Sequence, residues 1–255
     1  MPTFKITVAY DGAPFVGWQR QANGTSVQGL LEDALRTLDD REVTVHGAGR
    51  TDAGVHALGQ VASFTLRRDI TAAVVQRALN NHLPDAVRIV LAEEAPPSFH
   101  ARFGAKSKTY RYRIWNADVD SPFEQSYAWF VRGRLAFDAM QAAARALEGR
   151  HDFAAFQAAD GTQRTTLREV FASRLVAEPD DPAVPGRSAG RLITYEISGS
   201  GFLRHMVRAI AGSLVEVGCG RRGPEWISEV LASRDRTGAG PTAPAHGLFL
   251  VRVDY

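Results

Sequence analysis

The order of hydrophobic patterns in the first hundred residues is the feature that most constrains the fold. FKITVAY alternates apolar and polar positions as a half-buried strand does, and VTVHG, QVASFTL and VRIVLAEE are further strand-like segments. Apolar residues recur at helical spacing after Thr25 and again after Thr71, two residues suited to cap a helix. The resulting order, β-α-β-β-α-β, is the split motif of ferredoxin-like domains.

The remainder of the chain repeats this order more loosely. TYRYRIW, REVFASRLV, RLITYEIS and GLFLVRV are strand-like, and helices are predicted from Asp138 to Leu147, around residues 202 to 217 and after Pro224. We therefore predict an α+β protein of two ferredoxin-like (βαββαβ) halves with mixed or antiparallel sheets. The helices are expected on one side and an active-site cleft between the halves, with domains at residues 1–105 and 106–255.

Length and cysteine usage limit the class of protein. The chain has 255 residues, enough to bury a sizeable core. Its single cysteine, Cys219, has no partner in the chain for a disulfide, which favours a reducing cytoplasm. PTFKITVAY lacks the long apolar core of a signal peptide, and charged residues interrupt the most apolar stretch after residue 200. We expect a cytoplasmic protein that does not enter a membrane.

Charge distribution is more informative than the formal net charge of +2. From Ala95 to Ala117 the sequence has no acidic residue. This window contains five basic residues: Arg102, Lys106, Lys108, Arg111 and Arg113. A second acid-free window holds Arg204, His205 and Arg208. Local fields of one sign attract a polyanion even where the net charge is small, so these windows favour nucleic acid as a partner.

Several chemistries have no support in the sequence. The chain has no complete dinucleotide-binding fingerprint, no G-x-x-x-x-G-K-[ST] loop and no G-x-S-x-G nucleophile elbow. Its seven histidines form neither H-E-x-x-H nor the His-x-Glu and Cys-x-x-Cys set of zinc deaminases. We therefore expect no metal, no nucleotide cofactor and no acyl-enzyme.

The segment GRTDAGVH contains the candidate catalytic group, Asp52. One interpretation is structural, since Asp followed by Ala-Gly between two strands suits a hairpin turn. The other is catalytic. Arg50 is placed to balance an ionised carboxylate, and His56 and Gln60 add polar groups beyond those that a turn requires. A lone carboxylate can act as a nucleophile, and no second acid lies near enough for the paired scheme of glycoside hydrolysis.

Two later segments have both a structural and a functional interpretation. KSKTYRYR is either an exposed strand or an aromatic platform in a basic strip, which would hold an unstacked base against a tyrosine. GFLRHMVRAIAGS has an apolar helix face to which Arg208 does not belong. Because an unpaired buried charge is costly, Arg208 needs an anionic partner, and Asp52 is a candidate.

With these segments identified, the chain resembles the tRNA pseudouridine synthase A family, the synthases of the anticodon stem-loop. The resemblance covers nearly the whole chain in the same order. The matching segments are YDGAPFVGWQRQ, GAGRTDAGVHALGQVASF, FHARFGAKSKTYRYRIWN, QRTTLREV, GFLRHMVRAIAGSLVEVG and DRTGAGPTAPAHGLFLVRVDY. The loop from Pro179 to Gly190 follows no pattern of the family.

The resemblance implies roles for five residues. Asp52 is implied as the catalytic nucleophile and Tyr110 as a contact to the target base. Arg208 is implied to pair with Asp52, beside the apolar Leu203. Arg50 is implied to face the substrate instead of serving as the only counterion of Asp52.

The implied activity is that of an isomerase, an intramolecular transferase that converts uridine to pseudouridine at positions 38, 39 and 40 of tRNA without metal or cofactor. The implied partners are tRNA and a second copy of the chain in a homodimer. Two alternatives stay open at this point: a non-catalytic RNA-binding module, and a nucleosidase acting on small molecules.

Overall fold

The structure, a computed structural model, describes residues 1–159, 165–178 and 191–255. The Pro179–Gly190 loop and the first two residues of QRTTLREV lie outside the described residues. The α+β class predicted from the sequence is confirmed, since the described part of the chain contains ten strands and five α-helices. Contacts group the chain into two compact units, residues Met1–Lys106 with Phe249–Tyr255, and Ser107–Leu248. The domain limits 1–105 and 106–255 stay a prediction.

Unit 1 contains the β-α-β-β-α-β order that the sequence predicts. Its elements are β1 (Thr3–Tyr10), α1 (Val27–Asp39), β2 (His46–Gly47), β3 (His56–Thr65), α2 (Ala72–His82) and β4 (Val87–Ala95). The sheet order is β4-β1-β3, and β2 also pairs with β3, all antiparallel. The C-terminal strand, β10 (Leu248–Asp254), pairs with β3 in parallel through Phe249 and Leu250.

The apolar face of β1 forms part of the unit 1 core. Phe4, Ile6 and Val8 are fully buried, as the apolar face of FKITVAY predicts. Helix α1 adds the buried Leu31 and Leu35, and the two helices contact each other. The N-cap of α1 is Ser26, whose hydroxyl accepts a hydrogen bond from the Gly29 N–H at 3.2 Å, so the cap lies one residue after the predicted Thr25.

The strands of unit 2 are mostly antiparallel, and helices pack on their apolar residues. Its elements are β5 (Ser107–Asn116), β6 (Trp129–Val131), α3 (Phe137–Arg145), β7 (Gly149–Asp152), β8 (Leu167–Ala177), β9 (Arg191–Gly199), α4 (Met206–Gly218) and α5 (Trp226–Ser233). The strand order is β5-β9-β8-β7. Strand β6 pairs with β5 in parallel and was not predicted.

Helix α4 is the central helix of unit 2 and is buried on nearly every side. Two glycines allow neighbouring chain segments to approach it closely. A Cβ on Gly212 would lie 1.8 Å from the Pro241 carbonyl oxygen, and one on Gly218 would lie 2.5 Å from Met140 Sδ. The helix begins at Met206, later than the predicted start near residue 202, because His205 has a left-handed backbone conformation with φ of 62°.

Candidate active site

The loop that carries Asp52 joins β2 to β3 and closes in a tight turn. The Val55 N–H donates to the Asp52 carbonyl oxygen at 3.2 Å, and Gly54 within this turn has φ of 74°, a conformation that glycine adopts without strain. At its base, the Ala48 N–H donates to the Val61 carbonyl at 2.7 Å. The Asp52 residue is partly exposed at the surface of unit 1. The structure therefore presents this carboxylate on a hydrogen-bonded turn, as the sequence predicts.

A second loop, residues 11–19, packs directly against the Asp52 loop and is called the glycine loop here. The Trp18 N–H donates to the Thr51 carbonyl at 3.1 Å. Gly17 has φ of 110°, and a Cβ at this position would lie 2.5 Å from the Thr51 carbonyl oxygen. A Cβ on Gly12 would lie 2.1 Å from the Val55 carbonyl oxygen. Only glycine permits these two close approaches, so the glycine loop determines where the backbone around Asp52 lies.

Buried polar side chains anchor both loops from below. The Tyr10 hydroxyl and Thr51 Oγ1 are 2.8 Å apart in a buried hydrogen bond. Burial raises the pKa of Tyr10 to about 12, although hydrogen bonds with Thr51 and Gln60 act in the opposite direction. Tyr10 is therefore a neutral phenol at physiological pH. It holds the loop and is not suited to act as a general base.

His56 and Gln60, which the sequence suggested as functional polar groups, satisfy backbone atoms. His56 is 1% exposed, its Nδ1 accepts from the Gly12 N–H at 3.0 Å, and its ring stacks on Phe249 with centroids 4.6 Å apart. The Gln60 amide donates to the Gly49 carbonyl at 2.9 Å and is fully buried. Both residues fix the geometry of the Asp52 loop from within the core.

Arg50 is exposed, and a chain of side-chain amides orients it. Its Nε donates to Gln19 Oε1 at 3.0 Å, and Gln19 Nε2 donates to Gln28 Oε1 at 2.6 Å. Gln28 in turn donates to the Val45 carbonyl at 3.0 Å. Sequence reasoning missed Gln19, although its position inside the YDGAPFVGWQRQ segment is the signal that points to it. The implied role of Arg50 toward a substrate stays a prediction.

Tyr110 and its neighbours form an aromatic group in unit 2. Tyr110 lies on β5 opposite Ile197 of β9 and is 8% exposed. Its ring meets the edge of Phe202 with centroids 5.1 Å apart at 81°. Leu203, the next residue, is buried, and its carbonyl accepts from the Met206 N–H at the start of α4. Phe202, the first residue of the helix predicted around residues 202 to 217, instead contacts Tyr110 ahead of α4.

Arg208 lies in the first turn of α4 and is partly buried. Its Nε donates to the Ala243 carbonyl at 2.7 Å, while the Ala243 N–H donates to the Arg208 carbonyl at 3.1 Å. Burial raises the pKa of the Tyr112 phenol, and the nearby Arg208 charge counteracts that rise. A backbone carbonyl thus supplies part of the hydrogen bonding that a guanidinium on an apolar helix requires. The pairing of Arg208 with Asp52 stays a prediction.

The described residues contain neither a cluster suited to a metal ion nor a helix suited to cross a membrane. Among residues 1–159, 165–178 and 191–255, no cluster of three or more histidine, cysteine or acidic side chains is arranged to bind a metal ion. Within the same described ranges, no helix combines the length and apolar character needed to cross a membrane. Cys219, which follows α4 directly, is a free thiol of intermediate exposure.

Comparison with known proteins identifies the family. A family model described as tRNA pseudouridine synthase matches residues 6–104 and 143–255. The chain is 46% identical over 255 residues to tRNA pseudouridine synthase A of Pelobacter propionicus, covering 100% of both chains. It is 45% identical over 255 residues to the enzyme of that name from Myxococcus xanthus, covering 100% of this chain and 92% of the relative. These matches span both units, and the chain belongs to the tRNA pseudouridine synthase family, isomerases that convert uridine to pseudouridine.

Proposed function

We propose that this chain converts uridine to pseudouridine at positions 38, 39 and 40 in the anticodon stem-loop of tRNA, with Asp52 as the nucleophile and no cofactor. The observation that carries the proposal is the fixed presentation of Asp52. Asp52 is a partly exposed residue on a turn whose backbone is held by the glycine loop and by the buried Tyr10–Thr51 hydrogen bond. A rigidly presented acid is suited to covalent catalysis, since less of the binding free energy is spent on ordering it.

The proposed reaction is redox-neutral and balances within the substrate. The bond between N1 of uracil and C1′ of the ribose breaks, the uracil turns, and C5 forms a bond to the same C1′. The proton leaves C5, and N1 gains one, so the product is an isomer of the substrate. Asp52 takes part in one of three ways: it attacks C1′ and is displaced when C5 attacks there, it adds to C6 of the uracil and is eliminated once C5 is bonded to C1′, or it removes a ribose proton and returns it. Each requires the carboxylate form.

The remaining residues are proposed to handle the base and the charge. Tyr110 contacts the uracil after it leaves the stack, with Leu203 as an apolar wall, and a base–aromatic contact of this kind contributes roughly 1–3 kcal/mol. That offsets part of the few kcal/mol, on the order of one stacking step, needed to extrude a nucleotide. Arg208 is proposed as the counter-charge of Asp52, and Arg50 as a contact to the RNA. We further propose a cytoplasmic homodimer.

The test of the nucleophile compares Asp52→Ala with Asp85→Ala, which removes an exposed carboxylate beyond α2. Asp52→Ala is expected to abolish pseudouridine formation on an anticodon stem-loop while RNA affinity persists, and Asp85→Ala to retain both. Unchanged turnover in Asp52→Ala would refute the proposal and favour the alternative of a non-catalytic RNA-binding module.

Two further variants test the supporting roles. Tyr110→Ala is expected to lower turnover more than RNA affinity, because the ring acts on the extruded base. Arg208→Ala is expected to slow the single-turnover rate, because Asp52 loses its counter-charge; a full rate would refute the pairing.

A nucleosidase acting on small molecules would release free uracil. It would also show little dependence of RNA binding on salt, whereas neutralised phosphates give a steep slope.

A further inference from the structure

A stack of three aromatic rings lies on unit 1 outside the candidate active site and is called the ring stack here. It consists of His46 on β2 and of His100 and Phe103 in the segment after β4. The His46 and His100 rings are stacked with centroids 4.6 Å apart at 28°. The His100 and Phe103 rings follow at 4.4 Å and 37°. Phe103 ends the stack with 79% of its surface exposed, so a large apolar face is presented to solvent.

The middle ring of the stack is held as a neutral imidazole. His100 Nδ1 accepts from the backbone N–H groups of Arg102, at 3.1 Å, and Phe103, at 3.4 Å. Burial, followed by the neighbouring His46, lowers the pKa of His100. A neutral ring in the middle allows close stacking without repulsion between imidazolium charges. The backbone bonds also set the orientation of the Phe103 segment.

The segment that carries Phe103 is fixed at both ends. The Ala101 N–H donates to Ser63 Oγ at 3.0 Å, and the Ala101 carbonyl accepts from the Tyr255 hydroxyl at 2.8 Å. The Lys106 N–H donates to the Asp254 carbonyl at 2.8 Å. Since these bonds order the backbone on both sides of Phe103, an incoming ligand meets a segment that is already arranged, at a low entropic cost.

Two basic residues flank Phe103 in the chain. The Arg102 guanidinium lies over the Phe103 ring, 5.8 Å from its centre, and Lys106 is exposed three residues further on. No acidic residue occurs between Ala95 and Ala117. An aromatic face with guanidinium and ammonium groups beside it is the arrangement that binds an unpaired nucleotide, because the base stacks and its phosphate is neutralised. An interface formed only by apolar burial would gain nothing from these charges.

The ring stack lies at the start of the Asp52 loop, whereas Asp52 lies in the turn at the far end of that loop. His46 in β2 pairs with Ser63, and the turn enters β3 at His56, so seven residues of strand, about 23 Å, separate these two positions on β3. A base on Phe103 is therefore not the uridine that Asp52 attacks. We propose that Phe103, with Arg102 and Lys106, is a second RNA-binding site on which an unpaired nucleotide of the substrate tRNA stacks while another nucleotide occupies the active site. This second site rests on the proposed function only because the RNA that it binds is taken to be tRNA.

The test measures tRNA binding and chemistry separately in Phe103→Ala, Phe103→Leu and Phe103→Trp. Phe103→Ala and Phe103→Leu are both expected to weaken binding of an unmodified tRNA transcript by about 5- to 100-fold, the range for loss of one base–aromatic stack. Phe103→Trp is expected to bind at least as tightly as the parent. Single-turnover rates at saturating tRNA are expected to be unchanged in all three, because Phe103 does not touch the reacting uridine.

Leucine distinguishes RNA stacking from contact with a second copy of the chain. If Phe103→Leu binds tRNA like the parent while Phe103→Ala sediments as a monomer, the ring stack is an interface between copies and the proposal is wrong. Unchanged tRNA affinity in Phe103→Ala also overturns it. Binding can be measured in the Asp52→Ala background. A Phe103 effect that persists in a chain forming no pseudouridine would support the second site even if the proposed reaction failed.

Discussion

Replacement of Gly17 by alanine tests whether the glycine loop positions Asp52. Gly17 has φ of 110°, and its new Cβ would lie 2.5 Å from the Thr51 carbonyl oxygen. The backbone strain costs about 1–3 kcal/mol of the free energy of unfolding. Because non-bonded heavy atoms prefer separations of about 3.5 Å, one of the two loops must move by roughly 1 Å. A displacement of about 1 Å at a catalytic group is enough to lower the rate about 100-fold.

Gly133→Ala is the matched control for Gly17→Ala. Gly133 also has a positive φ, 84°, but its Cβ would have no heavy atom within 4 Å. In urea, the free energy of unfolding is expected to be lower by about 1–3 kcal/mol in both variants. The single-turnover rate on tRNA is expected to fall about 10- to 100-fold in Gly17→Ala alone. If both variants lose stability equally and also react equally fast, the glycine loop does not position Asp52.

Three further predictions concern stability and the orientation of Arg50. Tyr10→Phe leaves the Thr51 hydroxyl buried without its phenol partner and is expected to lower the free energy of unfolding in urea by about 1–3 kcal/mol; no change would show that the hydrogen bond contributes nothing. Burial opposes ionisation of Asp39, but hydrogen bonds from the Arg41 side chain and two backbone N–H groups outweigh it and lower the carboxyl pKa. The stabilisation by the ionised Asp39 carboxylate is therefore present above the unfolded pKa of about 3.9 and is lost as pH falls through the lower folded pKa. The free energy of unfolding of Asp39→Asn should therefore approach that of the parent chain as the pH is lowered. A difference that stays constant with pH would contradict this. Gln19→Leu removes the acceptor for Arg50 Nε and is expected to lower the single-turnover rate with little change in melting temperature; an unchanged rate would exclude a positioning role.

Periodicity predicted the secondary structure well where local and tertiary preferences agree. The alternation in FKITVAY places Phe4, Ile6 and Val8 on the buried face of β1, and the predicted order of unit 1 is the observed one. The prediction failed at the start of helix α4, where the apolar stripe extends back to Phe202 but the left-handed His205 makes the helix begin at Met206. Periodicity records which residues are buried, and it does not reveal a change of backbone conformation within an apolar run.

The candidate site was predictable in part. Asp52 stands out because the sequence lacks the motifs of other chemistries and because its loop lies between two strands. The supports of that loop were not predictable, since Gly12 and Gly17 approach it from more than thirty residues away and no local pattern records such a contact. His56 and Gln60 illustrate the converse: both are conspicuous polar residues in the sequence, and both satisfy buried backbone atoms.

The most direct test of the central claim maps pseudouridine along an unmodified tRNA transcript incubated with the purified parent chain or with Asp52→Asn, without added cofactor. Pseudouridine is expected at positions 38, 39 and 40 with the parent chain, and none is expected with Asp52→Asn. Pseudouridine at the same positions and rate with Asp52→Asn, or modification by the parent chain only at other positions, would contradict it.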